Sequence, residues 1–521
     1  MNEEILKTIR EKGLLLEKEV YDLVGNMDNA GAARVFLENL EKASGQKIIT
    51  KSVLSKNIEY VQRYFEQISG GESIVENIFI KLGLSLEIRK EKEIAKEAGN
   101  KKPEEQSYQV FYANTKADKK LEVSDFTYYF RARYQQIQRI LLQRPDLLHL
   151  ISINKISGDR QTINIIGIVT EKRVTKNGNL IVKFEDLTGS INALFKGDNK
   201  EVFSKARELQ LDDVVAIKAA GNRDMLFAYE LYYPDSFLTE RTKFNEDVSI
   251  AFLSDVHAGG GKHLAKSFNK FLEWINSDNE DAKKIRYLFF VGDNIDGVGI
   301  FPGQEKLLSL KSMKEQYNLL ASYLQRIPKN ITMFMCPGQH DAVRVAEPQP
   351  ILDRKYAGAM YDIENLVLVT NPTLVKLIEG EKEFKVLMYH GASIHDFINE
   401  IQELRETKAH LYPAKAVKHM LKRRHLSPTH SKATYIPNAE KDPLVISEVP
   451  DVLCTGEVHR LDIENYNGTL IFTGSCWQAQ TAFEEKIGNV PDPAKIPVLN
   501  LKTRELKIFD FTEEEEFKRE S

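Results

Sequence analysis

The chain has 521 residues, of which 42% are hydrophobic and 28% are charged, and its formal net charge at pH 7 is −4. This length is too great for one ordinary core and predicts about three domains. The negative charge argues against a protein that coats nucleic acid with its whole surface, and no stretch has the roughly 18 to 20 apolar residues of a membrane helix.

The start of the chain and its cysteines bear on location. MNEEILKTIREKG lacks the apolar segment of a signal peptide, so we expect a cytoplasmic protein with no membrane partner. Cys336, Cys454 and Cys476 are too few and too scattered for a disulfide framework, and we interpret them as buried thiols in a reducing compartment.

The first 120 residues divide into two predicted parts. Apolar positions recur at helical spacing in EEILKTIREKGLLLEKEVYDLV and in SVLSKNIEYVQRYFEQI, so residues 1–80 are predicted to form a helical domain. Residues 81–120 are rich in charge, contain Gly99 and Pro103, and have too little apolar surface to fold alone. We predict a charged, flexible linker there, and disorder in the acidic end TEEEEFKRES.

Residues 121–149 are predicted to form a connecting helix. Ser124 is a suitable N-cap, and the Tyr and Phe residues of VSDFTYYFRARYQQIQRILLQRPDLL fall on one stripe. Such a stripe could stack nucleobases, but packing in a core is the favoured interpretation.

Residues 150–244 have the periodicity of strands. β-Branched and polar residues alternate in TINIIGIVTEKRVTKNGNLIVKFEDLTGSINALF, which turns at Asn177-Gly178, and DVVAIKAAGN and LFAYELYYPD follow. About five strands with a long hairpin fit an OB-fold β-barrel, a fold that binds single-stranded nucleic acid or docks proteins. The sequence leaves both roles open. The basic residues that would suit nucleic acid are Lys172, Arg173, Lys176 and Lys183.

Residues 245–521 alternate short apolar runs with loops and helical segments. VSIAFL, RYLFFV, ITMFMC, FKVLMY, DVLC and TLIFTG are predicted to be buried strands of a sheet. Polar residues directly follow five of these runs. They are Asp255 and His257 in SDVHAGGG, Asp293 and Asp296 in GDNIDGVG, Gln339, His340 and Asp341 in PGQHDAVR, His390 in HGAS, and Glu457 and His459 in GEVHR.

Side chains at the carboxyl ends of successive strands converge in open α/β sheets. A mixture of carboxylate, imidazole and amide groups suits divalent manganese, iron or zinc, whereas calcium prefers oxygen alone. A carboxylate such as Asp293 can bridge two ions, and a pair of ions about 3.5 to 4 Å apart can supply a nucleophile and stabilise a phosphoryl group. Each motif alone could be a capped turn or a structural histidine, but five in strand-end register indicate a two-metal phosphoesterase site.

These motifs resemble those of the calcineurin-like metallophosphoesterases, which run D-x-H, G-D, G-N-H-D/E, H and G-H-x-H in this order. The resemblance is closer still to one branch, the small subunits of archaeal family D DNA polymerase, in SDVHAG, GDNIDGVGIFPGQE, PGQHDAVRVAEPQP, NPTLVKL, YHGAS, VPDVLCTGEVH and GSCWQAQTAFEEKIG. It covers residues 120–510. It implies a multidomain α+β protein with an N-terminal helical region, an OB-fold β-barrel and a C-terminal calcineurin-like phosphodiesterase α/β sandwich.

The resemblance also implies a function. The chain would pair with a large catalytic subunit and supply 3′-to-5′ proofreading exonuclease activity on single-stranded or frayed DNA ends, with two divalent ions. Manganese is the expected metal, with magnesium and iron as alternatives. The implied ligands of one ion are Asp255, His257, Asp293 and His459, and those of the other are Asp293, Gln339, His390 and Glu457. His340 would be the general acid, Asp341 would orient its ring, and Arg344 would hold the phosphate or form a surface salt bridge.

Two implied ligands of the second ion depart from the family pattern, because Gln339 stands for Asn and Glu457 for His. Both side chains keep an oxygen that can reach a cation, but a displacement on the order of 1 Å can cost about a hundredfold in rate. Retained or weakened exonuclease activity is therefore favoured over the alternative, a non-catalytic assembly subunit with a degenerate second metal site. A stand-alone phosphatase is disfavoured, since the barrel has no evident use there. A sliding clamp is a further candidate partner, although QYNLLASYL, from Gln316, fits a core helix better than a clamp motif.

Overall fold

The computed structural model describes residues 9, 14–17, 20, 37, 47–49, 107–116, 120–147, 149–430 and 432–513. The chain divides into two compact units, Met1–Glu105 and Gln106–Ser521. In the first unit, β1 (Leu15–Leu16) pairs in parallel with β2 (Ile48–Ile49). The helical prediction is wrong at these strands, where buried Leu14 and exposed Leu15 alternate as neighbours in a strand do. Residues 9, 20 and 37 are helical, as predicted, and the remainder of residues 1–80, like residues 514–521 of the acidic end, lies outside the described residues.

The predicted linker is wrong at its carboxyl end, because β3 (Tyr108–Tyr112) is the edge strand of a sheet. It pairs antiparallel with β13 (Thr373–Glu379). Tyr108 and Val110 pack against the core, and the Tyr108 ring lies 5.0 Å from that of Phe334. The aromatic and β-branched residues of YQVFY, which favour strands, therefore outweigh the charge of the preceding segment. Residues 81–106 of the predicted linker lie outside the described residues.

The connecting helix α1 spans Val123–Leu141, within the predicted range of residues 121–149. Glu122, not Ser124, is its N-cap, and the Glu122 backbone N–H donates to the Asp125 carboxylate at 2.8 Å. The aromatic stripe is core, as favoured from the sequence, since Tyr129 and Tyr134 are buried. The aromatic stripe of the helix thus packs in the protein core and is not a surface for stacking nucleobases.

A closed five-stranded barrel follows, which confirms the predicted strand count. Its strands are β4 (Gln161–Val174), β5 (Leu180–Glu185), β6 (Ser190–Phe195), β7 (Val214–Gly221) and β8 (Leu226–Tyr232). They pair in the order β4-β5-β6-β8-β7, and β4 closes the barrel by pairing antiparallel with β7. The helix α2 (Lys200–Arg207) lies between β6 and β7 in the chain.

Two of the four basic barrel residues already have partners within the chain. The Lys172 ammonium donates to the carbonyls of Arg207 at 2.5 Å and Leu209 at 2.8 Å, at the end of α2. Lys183 forms an ion pair with Glu171 at 2.8 Å. Lys172 therefore fastens α2 to the barrel, which reduces what this surface can offer to DNA phosphates.

The remaining strands join β3 and β13 in two six-stranded sheets. They are β9 (Ser249–Leu253), β10 (Ile285–Val291), β11 (Thr332–Cys336), β12 (Leu366–Leu368), β14 (Lys382–Met388), β15 (Val452–Thr455), β16 (Asp462–Tyr466), β17 (Thr469–Thr473), β18 (Lys495–Asn500) and β19 (Leu506–Asp510). The first sheet has the order β12-β11-β10-β9-β18-β19, with β9 to β12 parallel, and the second has the order β16-β17-β15-β14-β13-β3. Phenylalanine rings from both sheets stack in one core. The centroid of the Phe252 ring lies 5.3 Å from that of Phe289 and 4.7 Å from that of Phe472.

Helices flank the two sheets. They are α3 (Ala265–Ile275), α4 (Glu280–Lys284), α5 (Met313–Leu324), α6 (Arg354–Ala357), α7 (Ile394–Glu400), α8 (Gln402–Glu406), α9 (Ala414–Arg423) and α10 (Ala482–Ile487), with 3₁₀ turns at Ile153–Lys155, Gln304–Lys306, Gly358–Asp362 and Ala409–Leu411. Gln316 in α5 is buried and donates to the carbonyls of Gly297 and Leu310, so the segment that resembles a clamp motif is core. None of the helices in the described part of the chain has the length and apolarity needed to cross a bilayer.

The three cysteines are buried thiols without disulfide bonds, as the sequence predicts. Cys336 ends β11 and Cys454 lies in β15. Burial raises the pKa of the Cys336 thiol to about 12 and has the same effect on Cys476. These side chains therefore stay neutral and pack as small apolar groups.

Buried ion pairs join the barrel and α1 to the sheets within the second unit. Arg423 at the end of α9 pairs with Asp213 at 3.0 Å, and both side chains are at most 2% exposed. Arg133 in α1 pairs with Asp442 at 2.7 Å in the same way. Because removing one partner would leave a buried charge unpaired, these contacts hold the barrel and α1 against the sheets.

Candidate metal centre

The predicted site residues lie together at the carboxyl ends of strands from both sheets. Asp255 and His257 follow β9, Asp293 follows β10, and Gln339, His340 and Asp341 follow β11. His390 follows β14, and Glu457 and His459 follow β15. The sandwich therefore collects into one cleft residues that are up to about 200 positions apart in the chain, as expected for strand ends.

Five of these residues have a left-handed backbone, which is uncommon for residues other than glycine. Their φ angles are 51° for Asp255, 48° for His257, 46° for Asp293, 72° for Glu457 and 58° for His459. Such strain costs of order 1 to 3 kcal/mol per residue and concentrates at functional sites. Because this strain falls on the candidate ligands, the placement of their side chains outweighs the energetic cost of the left-handed backbone conformation.

One cluster joins Asp255, His257 and His459, whose ligand atoms lie within 4.8 Å of one another. The Nδ1 atom of His257 contacts the Asp296 carboxylate at 3.1 Å, and the Nδ1 atom of His459 contacts the Glu484 carboxylate at 2.9 Å. Each Nδ1–H is thus donated to an acceptor, which leaves both Nε2 atoms facing the cluster. The two Nε2 atoms are 3.1 Å apart.

The two Nε2 atoms therefore both turn toward the cluster as possible ligand atoms. With both Nδ1–H groups donated, neutral rings would present lone pairs to each other, an arrangement that suits the binding of a cation. The Oδ2 atom of Asp255 is buried and has no hydrogen-bond partner. Nitrogen and carboxylate donors with anchored rings are what a divalent transition metal binds, and the residues present fit one.

A second cluster joins Asp255, Asp293 and His390. The Nδ1–H of His390 donates to the Val291 carbonyl at 2.9 Å, so its Nε2 faces inward, 3.3 Å from carboxylate oxygens of both Asp293 and Glu457. That nitrogen has no well-formed hydrogen bond. The cluster therefore also fits a cation, held by one imidazole and several carboxylates.

Glycines in the motifs allow this close approach. A Cβ atom at Gly338 would overlap the Asp293 carboxylate, and one at Gly292 would overlap the His390 ring. A Cβ atom at Gly456 would lie 2.5 Å from Oδ2 of Asp255. The glycine of each motif thus leaves room for a ligand from another strand.

The two exchanged residues contact each other. Gln339 Nε2 donates to Glu457 Oε2 at 2.8 Å, while Gln339 Oε1 is buried without a hydrogen-bond partner. The amide therefore orients Glu457 with its nitrogen and keeps its oxygen available. The two residues that depart from the pattern expected from the sequence are thus hydrogen-bonded to each other.

The structure brings His340 to the site but contradicts the role predicted for Asp341. The Nδ1–H of His340 donates to the Asp296 carbonyl at 2.7 Å, and its side chain is 23% exposed. Asp341 instead accepts from Gly338 N–H at 2.9 Å and from Tyr317 O–H at 2.9 Å. Sequence neighbours on a tight loop point in different directions, so Asp341 tethers the loop while the Asp296 carbonyl orients the ring.

The charges of the site shift its pKa values. Burial would raise the pKa of Asp293, but the histidines His390, His340 and His257 hold it well below its usual range. Burial would lower the pKa of His390, but the carboxylate of Asp293 and that of Glu457 raise it well above its usual value. The carboxylates of Asp293 and Glu457 therefore favour a positive charge at Nε2 of His390, which a proton or a metal ion could supply.

Burial and nearby charges also act in opposite directions on the pKa values of His459 and His340. Burial opposes ionisation of His459, but its neighbours, among them Cys476, Asp255 and Glu484, raise its pKa well above the usual value. The pKa of Glu484 is lowered to about 2, because the contact with His459 outweighs burial. For His340, burial is outweighed by Asp293 and by the hydrogen bond to Asp296, so its pKa is raised.

Arg344 donates to backbone oxygens, so the predicted surface salt bridge is wrong. Its guanidinium bonds to the carbonyls of Thr115 at 2.6 Å, Pro348 at 2.7 Å and Ala346 at 3.2 Å. These contacts join the loop after β11 to the segment after β3. These hydrogen bonds use Nε and Nη2, so Arg344 has a structural role here, and its contact with a phosphate stays a prediction.

Sequence reasoning missed two residues of the site. Glu484 lies in the first turn of α10, where it also accepts from Thr481 N–H at 2.9 Å in a capping box. His395, in α7, lies 3.9 Å from Glu457 Oε1. The T-x-x-E pattern predicts the helix start but not the contact with His459, and His395 has no motif of its own.

Comparison with known proteins places these features in a family. The family model that describes the B subunits of DNA polymerases alpha and epsilon matches residues 250–461. The DNA polymerase II small subunit of Methanothermobacter thermautotrophicus is 32% identical over 98% of this chain and 100% of its own length. That of Pyrococcus horikoshii is 32% identical over 96% of this chain and 80% of its own, and that of Pyrococcus furiosus is 36% identical over 74% and 63%. The chain therefore belongs to the family of small subunits of archaeal family D DNA polymerase.

Proposed function

We propose that this small subunit supplies 3′-to-5′ exonuclease activity to a heterodimeric replicative polymerase. The observation that carries the proposal is the convergence of three Nδ1-anchored imidazoles, His257, His390 and His459, on shared buried carboxylates. A structural cluster would satisfy its own polar atoms, whereas here Asp255 Oδ2 and His390 Nε2 are left without hydrogen-bond partners.

Two divalent ions fit the donors. Asp255, His257, Asp293 and His459 would hold one, and Asp293, Gln339, His390 and Glu457 the other. When bound, such a pair supplies a nucleophile at neutral pH and neutralises the phosphate that is attacked. Manganese suits the mixture of nitrogen and oxygen donors, with magnesium and iron as alternatives.

The residues of the chain itself position and protonate the substrate. His340 is less buried than the clustered histidines, and its Nδ1–H is fixed on the Asp296 carbonyl, so Nε2 is the atom that can meet a substrate. In the proposed reaction the Nε2 proton passes to the 3′ oxygen that leaves when a terminal nucleotide is cut off. General acids in such positions contribute about 10² to 10⁴ in rate.

We propose the same partners and layout that the sequence predicts. The N-terminal region 1–80, which contains β1 and β2, and the linker 81–120, shortened by β3, precede the helix 121–149, the barrel domain 150–244 and the phosphoesterase domain 245–521. The large catalytic subunit and DNA ends would be the partners, in the cytoplasm. A sliding clamp stays a candidate, though Gln316 is buried and does not offer it a contact.

One observation favours the alternative function, a non-catalytic assembly subunit. The hydrogen bond from Gln339 to Glu457 and the ion pair of Glu457 with His390 partly satisfy the second cluster without an ion. A chain that keeps only the first ion could still fold and bind the large subunit. The two functions differ in whether DNA is cut.

The test is degradation of 3′-end-labelled single-stranded DNA by the complex of both subunits in manganese. We expect the wild type to release labelled mononucleotide and Asp293→Asn to lose at least about a hundredfold in rate, because the charge of this carboxylate acts on histidines of both clusters. Asp362→Asn, an exposed substitution, is the control and should match the wild type. Equal background release by wild type and Asp293→Asn would favour the assembly subunit.

A further inference from the structure

His395 is an imidazole on the outer side of Glu457. It lies in α7, five positions after His390, and its Nε2 is 3.9 Å from Glu457 Oε1. The other oxygen, Glu457 Oε2, faces His390 Nε2 at 3.3 Å and Gln339 Nε2 at 2.8 Å. Glu457 is therefore a carboxylate placed between two imidazoles.

The spacing suits two ligands of one cation better than a direct contact. A separation of 3.9 Å is too long for a hydrogen bond between His395 and Glu457. Two donor atoms each about 2.1 Å from a common tetrahedral ion are about 3.4 Å apart, a separation that a small rotation of the His395 ring would reach. A cation that binds Glu457 from the open side of the cleft would be within reach of His395.

The helix gives His395 a fixed backbone and a free ring. The neighbouring residues Ile394, Phe397 and Ile398 are buried, so α7 is held against the sheet. The His395 side chain is 44% exposed and can change rotamer at little cost. Its ring can therefore adjust to a cation without any movement of the helix.

The chemistry of the donor sets supports the same role. The first set has two imidazoles, His257 and His459, with its carboxylates, whereas the second set has only His390 as a nitrogen donor. Gln339 Oε1 and His390 Nε2 are buried atoms of that second set without hydrogen-bond partners. A further imidazole would give both sets the same nitrogen count, which suits a divalent transition metal better than oxygen alone.

We propose that His395 is a ligand of the second metal ion and acts jointly with Glu457. The inference rests on the proposed two-ion site, but not on whether that site cuts DNA. In this arrangement Glu457 and His395 form one unit, in which the carboxylate binds the cation and the imidazole completes its nitrogen donors. Replacing Glu457 by an imidazole should therefore make His395 dispensable.

The experiment is manganese titration of the full-length chain by calorimetry, with electron paramagnetic resonance to detect two spin-coupled ions. We expect the wild type to bind two manganese ions. His395→Asn should lower the affinity of the second site by about 10- to 100-fold and leave the affinity of the first site unchanged. In the Glu457→His background the same His395→Asn change should alter the second affinity by less than about threefold. His149→Asn, at an exposed histidine before the barrel, is the control.

Three results would overturn the proposal. They are a single ion in the wild type, unchanged affinities in His395→Asn, and an equal loss from His395→Asn in both backgrounds. The last result would mean that the ring acts on the fold and not together with Glu457. Two ions that depend on His395 in a chain that fails to cut DNA would refute the exonuclease proposal and support this one.

Discussion

Asp341 gives the sharpest test of how the site is held together. Its side chain is 2% exposed, and it acts as a tether instead of orienting the His340 ring. Oδ2 accepts from Gly338 N–H at 2.9 Å and from Asn294 N–H at 3.1 Å, and Oδ1 accepts from Tyr317 O–H at 2.9 Å. One carboxylate thus joins the loops after β10 and β11 to helix α5.

The perturbation is Asp341→Ala, and its cost follows from the donors that it leaves unpaired. Gly338 N–H, Asn294 N–H and Tyr317 O–H lose their acceptor, while the Asn294 side chain keeps the Cys336 carbonyl at 2.9 Å. At about 1 kcal/mol or slightly more per buried donor, the free energy of unfolding should fall by roughly 3 to 4 kcal/mol. Asp341→Asn keeps one acceptor oxygen and should cost less than half as much.

The assay is urea unfolding of the full-length chain with a chelator present, followed by the fluorescence of tryptophan. Trp477 is 1% exposed in the core beside α3 and reports on the unit that contains the site. Asp362→Ala, at an exposed aspartate, is the matched control and should change the free energy of unfolding by less than about 0.5 kcal/mol. If Asp341→Ala matches that control, the tether interpretation is wrong.

Two further predictions concern Glu484 and His425. Glu484→Ala should lower the affinity of the first site for manganese by about 10- to 100-fold, because the His459 ring loses the acceptor that fixes it. Glu485→Ala, at an exposed neighbour, should leave this affinity unchanged. Calorimetric titration compares the two variants, and equal affinities would show that Glu484 does not position His459. Burial lowers the pKa of His425 to about 4 in the folded chain, compared with about 6.5 in the unfolded chain. Between these two pH values the unfolded chain binds a proton at His425 and the folded chain does not. The free energy of unfolding should therefore fall by about 3 kcal/mol as the pH drops from about 6.5 to about 4. Urea unfolding at several pH values should show this decrease in the wild type and its loss in His425→Gln, and identical pH profiles would contradict it.

The elements that can be predicted from the sequence are those whose pattern is local. Buried strands such as β10 and β11 are continuous apolar runs, and the polar residues that follow them lie at the strand ends as expected. The barrel strands follow from alternation and from the turn at Asn177-Gly178. The clustering of Asp255, His257 and His459 follows from the order of the motifs alone, since strand ends converge whatever the loops between them do.

The features that the sequence does not predict depend on contacts between distant segments. Asp341 follows His340 directly, yet the fold turns its carboxylate toward Tyr317 and gives the His340 ring to the Asp296 carbonyl. β3 resembles a linker because charge dominates the residues before it, and its partner strand is about 260 residues away in the chain. Glu484 reaches His459 only because the fold brings α10 beside the loop after β15, which no local pattern encodes.

The measurement that tests the central claim most directly compares two leaving groups. Cleavage of a DNA 3′ end releases a poor leaving oxygen that needs a proton, whereas thymidine 5′-p-nitrophenyl phosphate releases p-nitrophenolate, which does not. If His340 is the proton donor of a phosphodiesterase site, His340→Asn should slow DNA cleavage in manganese by about 10² to 10⁴ and hydrolysis of the p-nitrophenyl ester by less than about tenfold. Equal losses on both substrates, or a wild type no faster than Asp293→Asn on either, would contradict this role of the site.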